Sequence, residues 1–275
     1  MRIGGCTFSF GPRPLREAAE ILKKFGFERV DLGVCIGNGQ IDPFLASEEP
    51  DRTASEAIRI LDELEMTPDE CFVRDFGLPI NHLDEAVRSN TRRSFPGLAR
   101  FAAKVGCRSI MLTTGFVHET LGRERSFDLS AQELCELVRI STGEGVFLNV
   151  EPSEPSVVQN PNDTIRLCEQ VPGLGLTLDY SHFIDPGFDQ AAVEPLHRFA
   201  RHFHVRQAAR GKRVETVEKG TIDFARIVSL LTQERFKGVL AVEYVDCAVT
   251  TRCGVDVLVE TPKMKAKLEG ILGIA

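Results

Sequence analysis

Residues 174–182 read Leu-Gly-Leu-Thr-Leu-Asp-Tyr-Ser-His. A short apolar run ends at an acidic residue, Asp179, and a segment with helical periodicity follows after a loop. The same arrangement occurs at residues 146–151, Val-Phe-Leu-Asn-Val-Glu, and at residues 239–243, Val-Leu-Ala-Val-Glu. Short apolar runs that alternate with longer helical patterns predict βα units and a parallel sheet.

The whole chain alternates in the same way between short apolar runs and longer segments with helical periodicity. The predicted strands are residues 2–8, 29–34, 70–76, 108–113, 146–150, 174–179, 202–206 and 239–244. The predicted helices are residues 15–25, 53–65, 84–105, 130–142, 161–170, 189–200, 223–234 and 257–271. Residues 37–50 are predicted to be a loop insertion. Eight such repeats without a long polar linker predict an α/β protein with one domain over residues 1–275, a single (β/α)8 TIM barrel.

The composition and net charge of the chain argue against nucleic-acid and membrane partners. The formal net charge is -7 over 275 residues, and basic residues form no long run, so binding to a nucleic-acid backbone is not expected. No stretch approaches the ~20 apolar residues of a membrane span, and no secretory signal precedes the first strand. The eight cysteines include no CxxC pair. We therefore expect a cytoplasmic protein without a membrane or nucleic-acid partner.

The last four strands each carry an ionisable residue at the end where a barrel places its active site. These residues are Glu151, Asp179, His204 and Glu243. Three converging carboxylates would raise one another's pKa unless a cation neutralised them. One imidazole with three oxygen ligands suits one divalent metal ion, Mn²⁺, Mg²⁺ or Co²⁺, and tolerates Zn²⁺. Taken singly, each residue also fits a structural role, such as a loop hydrogen bond, an ion pair with arginine or a core histidine.

Four motifs carry a resemblance to a known family. They are residues 149–152 (Asn-Val-Glu-Pro), 178–182 (Leu-Asp-Tyr-Ser-His), 202–206 (His-Phe-His-Val-Arg) and 242–244 (Val-Glu-Tyr). Their order resembles that of the xylose isomerase-like TIM barrel superfamily, of the sugar phosphate isomerase/epimerase type. The superfamily includes sugar epimerases and isomerases, inosose dehydratases and endonuclease IV-type enzymes, and the resemblance covers essentially the whole chain.

The resemblance implies a role for individual residues. The implied metal ligands are Glu151, Asp179, His204 and Glu243. It also implies that His182 contacts the substrate beside the metal and that Arg210 holds a substrate hydroxyl, a role that Arg206 could take instead. Glu151 and Glu243 would remove and return a proton while the metal stabilises an enediolate, and His182 would polarise the carbonyl or shuttle a proton.

The expected function is therefore that of a metal-dependent isomerase or epimerase acting on a small carbohydrate. A lyase or dehydratase acting on a keto-sugar or keto-inositol uses the same chemistry and is the first alternative. A barrel that only binds a ligand is the second. Endonuclease IV-type activity lacks support, since residues 217–219 read Val-Glu-Lys where an Asp-x-His is expected. The oligomeric state is left open, a homo-oligomer included.

The loops near the predicted site depart from the epimerase pattern. Those members usually carry a further glutamate six residues after the first ligand, and here Val157 stands at that position, although Glu154 is close by. Asn81 and His82, after the third strand, are candidates for binding sugar hydroxyls. Asp31, in the second strand, is a further candidate for the pocket.

Overall fold

A closed parallel barrel forms the centre of the molecule. The computed structural model describes residues 1–36, 40–74, 76, 79–153 and 155–274. Its strands are β1 (Arg2–Cys6), β2 (Arg29–Val34), β3 (Thr67–Val73), β4 (Ser109–Thr113), β5 (Phe147–Glu151), β6 (Gly175–Asp179), β7 (Ala200–Val205), β8 (Gln207–Ala209), β9 (Lys212–Glu215) and β10 (Val239–Val242). In this part of the chain the barrel order is β1-β10-β7-β6-β5-β4-β3-β2, while β8 and β9 form a separate antiparallel hairpin. The predicted (β/α)8 barrel is confirmed.

Helices cover the outside of the barrel. They are α1 (Leu15–Lys24), α2 (Pro43–Glu48), α3 (Pro50–Glu63), α4 (Glu85–Val105), α5 (Gly122–Gly143), α6 (Pro161–Gln170), α7 (Ser181–Ile184), α8 (Gln190–Val193), α9 (Phe224–Gln233), α10 (Ala248–Arg252) and α11 (Val257–Leu272). Helix α1 is amphipathic, and its apolar face, formed by Leu15, Ala18, Ala19 and Leu22, is buried. Among the described helices, none has the length and apolar character that crossing a membrane requires.

The main differences from the predicted elements have local causes. The loop predicted at residues 37–50 contains α2, which begins because the Asp42 side chain accepts hydrogen bonds from the amides of Phe44 and Leu45. Residues 37–39 of that loop lie outside the described residues. The helix predicted at residues 189–200 is split into α8 and a 3-10 helix, Glu194–Phe199, which has a proline in its first turn. Proline lacks the backbone donor that continues an α-helix.

One buried acidic side chain ties four barrel strands together. Glu70 of β3 is fully buried, and its carboxyl group accepts hydrogen bonds from side chains of the next three strands. Ser109 of β4 donates at 2.6 Å, Asn149 of β5 at 2.7 Å and Thr177 of β6 at 2.7 Å. These bonds compensate the cost of removing a carboxyl group from water.

Helices α2 and α4 approach each other closely at a glycine. A Cβ atom at Gly97 of α4 would overlap the backbone carbonyl oxygen of Ser47 in α2, whose hydroxyl also donates to the Ser94 carbonyl at 2.6 Å. Alanine favours a helix over glycine by about 1 kcal/mol, but forced overpacking costs about 1–3 kcal/mol. Because backbone must move here, we expect Gly97→Ala to lower the free energy of unfolding by about 2 kcal/mol.

Urea denaturation checks this expectation. The matched control is Gly270→Ala in α11, where a Cβ would meet no atom within 4 Å, and it should raise stability by up to about 1 kcal/mol. A Gly97→Ala variant as stable as the wild type would show that the two helices can separate without cost.

Candidate active site

The four predicted ligand residues lie together at the carboxyl ends of adjacent strands. Glu151 and Asp179 are the last residues of β5 and β6, and His204 lies in β7 opposite Asp179. Glu243 follows β10, and its amide donates to the carbonyl of Val205 at 3.0 Å, which extends the β7–β10 pairing. Each of the four is at most 8% exposed. The strand-end pattern therefore brings all four into one buried cluster.

His204 is the centre of one half of this cluster. Its Nδ1 atom lies 2.8 Å from Oε1 of Glu151 and 3.7 Å from Oε2 of Glu243. Its Nε2 atom points the other way and lies 3.5 Å from Oδ2 of Asp31. The imidazole therefore presents one ring nitrogen to two glutamates.

Asp179 lies in the other half, where Arg206 joins it to Glu243. One carboxylate oxygen of Asp179 accepts from the Ser181 amide at 2.7 Å, and the other accepts from the Ser181 hydroxyl at 2.8 Å. That second oxygen, Oδ2, also lies 2.7 Å from Nη2 of Arg206. Nη1 of Arg206 lies 3.0 Å from Oε2 of Glu243, and its Nε donates to the Ser181 hydroxyl at 2.9 Å. A buried guanidinium thus stands between two of the predicted ligands.

His182 lies at the edge of the same cluster, in the short helix α7. Its Nε2 atom is 3.5 Å from Oε2 of Glu151, 3.6 Å from Oδ2 of Asp179 and 3.1 Å from Nη2 of Arg206. Its Nδ1 atom is buried and has no hydrogen-bond partner among the described residues. The structure therefore places His182 beside the predicted ligands.

The charges in the cluster shift its proton affinities in different directions. Burial raises the pKa of Glu243 to about 7, with Glu151 and Asp179 adding to the rise and with Arg206 and His204 opposing it. Burial acts to raise the pKa of Glu151 too, but bonds from His182 and His204 outweigh it and hold that pKa well below the ordinary value. Burial acts to lower the pKa of His204, but the surrounding carboxylates raise it well above the ordinary value.

These residues fit a divalent ion by the chemistry of their donors. Ligand atoms of Glu151, His204 and Glu243 lie within 4.8 Å of one another, and those of Glu151, Asp179 and His182 form a second such group. Oε2 of Glu243 is buried and has no aligned hydrogen-bond donor among the described residues, although the Arg206 guanidinium is close. Three carboxylates with imidazole are a donor set for Mn²⁺, Mg²⁺, Co²⁺ or Zn²⁺.

Asp31 and His202 form a buried pair next to His204. The sequence indicated Asp31 as a candidate for the pocket, but not its contact with His202. Asp31 is buried, and its Oδ2 atom bonds to Nε2 of His202 at 2.7 Å as well as facing His204. Although burial opposes it, the two histidines lower the pKa of Asp31 to about 2. Asp31 thus supports the cluster from within the barrel. The period of two along β7, which puts His202 and His204 on the same face, was the signal for this contact.

Asn81 and His82 bond to the backbone of nearby loops. The Asn81 side chain donates to the carbonyls of Phe116 and Ser126 at 2.8 and 3.1 Å and accepts from the Phe116 amide at 3.1 Å. Nδ1 of His82 accepts from the Asp84 amide at 3.0 Å, before α4. The Asn81 side-chain amide and Nδ1 of His82 therefore hold loops in place. A substrate that bonded to either group would have to replace its hydrogen bonds to the backbone.

Arg210 lies apart from the cluster. It is exposed in the turn of the β8–β9 hairpin, and its guanidinium packs beside Gly187. No hydrogen bond or ion pair joins it to the four predicted ligands within the described ranges. Val157 is fully buried, and Glu154 lies outside the described residues.

A separate cavity of about 280 Å³ opens at the amino-terminal end of the barrel. It is lined by Asp69, Arg108, Arg201 and Lys237, among others. Because catalytic groups of such barrels occupy the carboxyl-terminal end, this cavity is not a candidate for the reaction site.

Fold and cluster together define a (β/α)8 barrel with a buried carboxylate–histidine centre at its carboxyl-terminal end. The family model for the xylose isomerase-like TIM barrel matches residues 19–261, and the chain belongs to that family. No curated protein sequence matches it.

Solved structures share the fold at low sequence identity. A D-tagatose 3-epimerase-like protein has a TM-score of 0.77 at 17% identity, covering 100% of this chain and 98% of its own. A D-psicose 3-epimerase crystallised with D-fructose has a TM-score of 0.79 at 14% identity, with coverages of 99% and 100%. The 3-keto-D-glucoside 4-epimerase YcjR from E. coli has a TM-score of 0.75 at 17% identity, with coverages of 98% and 99%.

Proposed function

We propose that this protein is a divalent-metal-dependent isomerase or epimerase of a sugar or sugar derivative. The observation that carries the proposal is the approach of two buried carboxylates, Glu151 and Glu243, to the same imidazole nitrogen of His204. The structural neighbours support the substrate class, since those described above are epimerases of ketoses or of a keto-glucoside, or are described as similar to one.

The ion would be held by Glu151, Asp179, His204 and Glu243. When bound, a divalent ion acidifies the proton on a carbon next to a carbonyl and stabilises the enediolate that forms. Mn²⁺, Mg²⁺ and Co²⁺ suit this oxygen-rich set best, and Zn²⁺ also fits.

The protein's own groups would move the proton. One of the two glutamates, Glu151 or Glu243, removes it from the substrate carbon at a carboxylate oxygen, and the other returns a proton to complete epimerisation. Nε2 of His182 lies 3.5 Å from Oε2 of Glu151, and this ring nitrogen would bond to a substrate oxygen at the cluster.

Elimination is the second candidate function. Val157 stands where epimerases usually have a further glutamate, and it is fully buried, so it offers no polar group to a sugar hydroxyl. A substrate held differently there could lose water or an aglycone from the same enediolate. A metal-dependent lyase or dehydratase acting on a keto-sugar or keto-inositol therefore fits the cluster too.

Proton exchange in D₂O tests the proposal. The protein is loaded with Mn²⁺, Co²⁺ or Mg²⁺, incubated with a panel of ketoses, keto-glycosides and keto-inositols, freed of the ion and followed by NMR. Deuterium at one carbon together with an epimer or isomer is the expected result. Deuterium with loss of water or aglycone would favour the lyase. A protein that binds no ion and exchanges no proton would contradict both and leave a ligand-binding barrel.

A further inference from the structure

The guanidinium of Arg206 lies inside the cluster that would hold the ion. It is 2.7 Å from Oδ2 of Asp179 and 3.0 Å from Oε2 of Glu243. Among the described residues, two of the three groups that could hold a metal ion contain Glu151, and none of the three contains both Asp179 and Glu243. One of these two groups adds His204 and Glu243, the other adds Asp179 and His182, and Arg206 lies between Asp179 and Glu243.

Charge explains why an arginine is stable there. Glu151, Asp179 and Glu243 are buried close together, and burying carboxylates without a countercharge is costly. Arg206 is itself only 7% exposed and faces two of them. A planar guanidinium, which can donate to two carboxylates at once, matches this arrangement better than a lysine ammonium would.

The same oxygens cannot serve the guanidinium and an ion at full strength. Oδ1 of Asp179 already accepts from the Ser181 amide, so the oxygen shared with Arg206 is the one that faces the cluster. On Glu243, the oxygen beside Arg206 is also the one facing Nδ1 of His204. Arginine and ion would therefore compete for the same lone pairs.

We propose that Arg206 is a built-in countercation that occupies the carboxylate cluster in the metal-free protein and withdraws from Asp179 and Glu243 when a divalent ion binds. This proposal rests on the metal site of the proposed function. The Arg206 side chain is long, and its Nε atom keeps a separate partner in the Ser181 hydroxyl, which is not a ligand. Asp179 likewise keeps its bond to the Ser181 amide after the exchange.

Metal affinity tests the proposal without reference to activity. Mn²⁺ binding to the metal-stripped protein is measured by calorimetry for the wild type and for Arg206→Gln. The control is Arg139→Gln, which removes one charge from an exposed position in α5. Since the variant removes a competing buried charge, we expect it to bind Mn²⁺ at least about tenfold more tightly than the wild type. Its metal-free form should melt at a lower temperature, and Mn²⁺ should raise that temperature by more than in the wild type.

Two results would contradict the proposed role of Arg206. Equal or weaker Mn²⁺ binding by Arg206→Gln would overturn the proposed exchange of Arg206 for the ion. Arg206 would then either have no effect on ion binding or help to organise the ligands. That outcome leaves the proposed function standing if the wild type binds the ion. Failure of both proteins to bind any ion would overturn the exchange and the metal site together.

The wild-type protein gives an independent readout should the variant fail to fold. The Nε–H signal of Arg206, assigned with Arg206→Lys, is followed by ¹⁵N NMR during titration with Mg²⁺, which is diamagnetic. We expect this signal to shift and to reach its end point at the Mg²⁺ concentration at which calorimetry shows the site to be saturated. An unshifted signal at saturating Mg²⁺, or no Mg²⁺ binding, would overturn the exchange.

Discussion

The kcat of the Glu151→Gln variant, on the substrate identified by proton exchange, is expected to fall by about 10³-fold or more. A fall of this size is typical when a general base is removed. The variant is also expected to lose most of its bound divalent ion. Glutamine keeps the size of the side chain but removes both the proton acceptor and one negative charge. Glu151 also bonds to Nδ1 of His204 at 2.8 Å, so the change weakens a second predicted ligand. Steady-state kinetics and elemental mass spectrometry measure the two losses.

The control is Glu136→Gln in α5, an exposed glutamate paired with Arg139. It should keep the ion content and kcat of the wild type. A Glu151→Gln protein within tenfold of wild-type activity would show that Glu151 neither carries the proton nor holds the ion, and would move the reaction to other groups.

The Glu70→Ala variant is expected to lower the free energy of unfolding by about 3 kcal/mol. Three buried donors, on Ser109, Asn149 and Thr177, would lose their acceptor, at about 1–3 kcal/mol each. Part of that loss is offset, because alanine also removes a carboxyl group that is costly to bury. Urea denaturation followed by circular dichroism measures the change.

Two further variants sharpen this test. Glu63→Ala removes an exposed glutamate whose ion pairs with Arg16 and Arg59 lie at the surface, so it should cost about 1 kcal/mol or less. Glu70→Gln keeps one acceptor oxygen and should fall between the wild type and Glu70→Ala. If Glu70→Ala cost no more than Glu63→Ala, the three donors would have found other partners.

The strands and the cluster could be predicted because both depend on short-range pattern. Apolar runs of strand length fixed the position of each barrel strand to within a few residues, and the strand ends then placed Glu151, Asp179, His204 and Glu243. The rule that parallel strands bring their carboxyl ends to one face of a barrel supplied the rest.

The partners of long side chains could not be predicted in this way. Sequence position puts Arg206 just after β7 and Arg210 in the following turn, but it does not say which guanidinium turns inward. The structure places Arg206 among the carboxylates and Arg210 in an exposed turn. Asn81 shows the same limit, because its bonds to the loop near Phe116 depend on a segment distant in sequence. Which partner a long side chain contacts depends on residues that are distant in sequence and close only in the folded protein.

The Glu70 bonds also bear on how the barrel can assemble. The donor on Thr177 lies 107 residues along the chain from Glu70, so the acceptor is satisfied only after β3, β4, β5 and β6 have all come together. An intermediate that contains β3 but lacks β6 would either bury the Glu70 side chain without the Thr177 donor or leave it exposed to solvent. A fragment that ends before β6 should therefore fail to reach native packing, which couples the two halves of the chain into one cooperative folding transition.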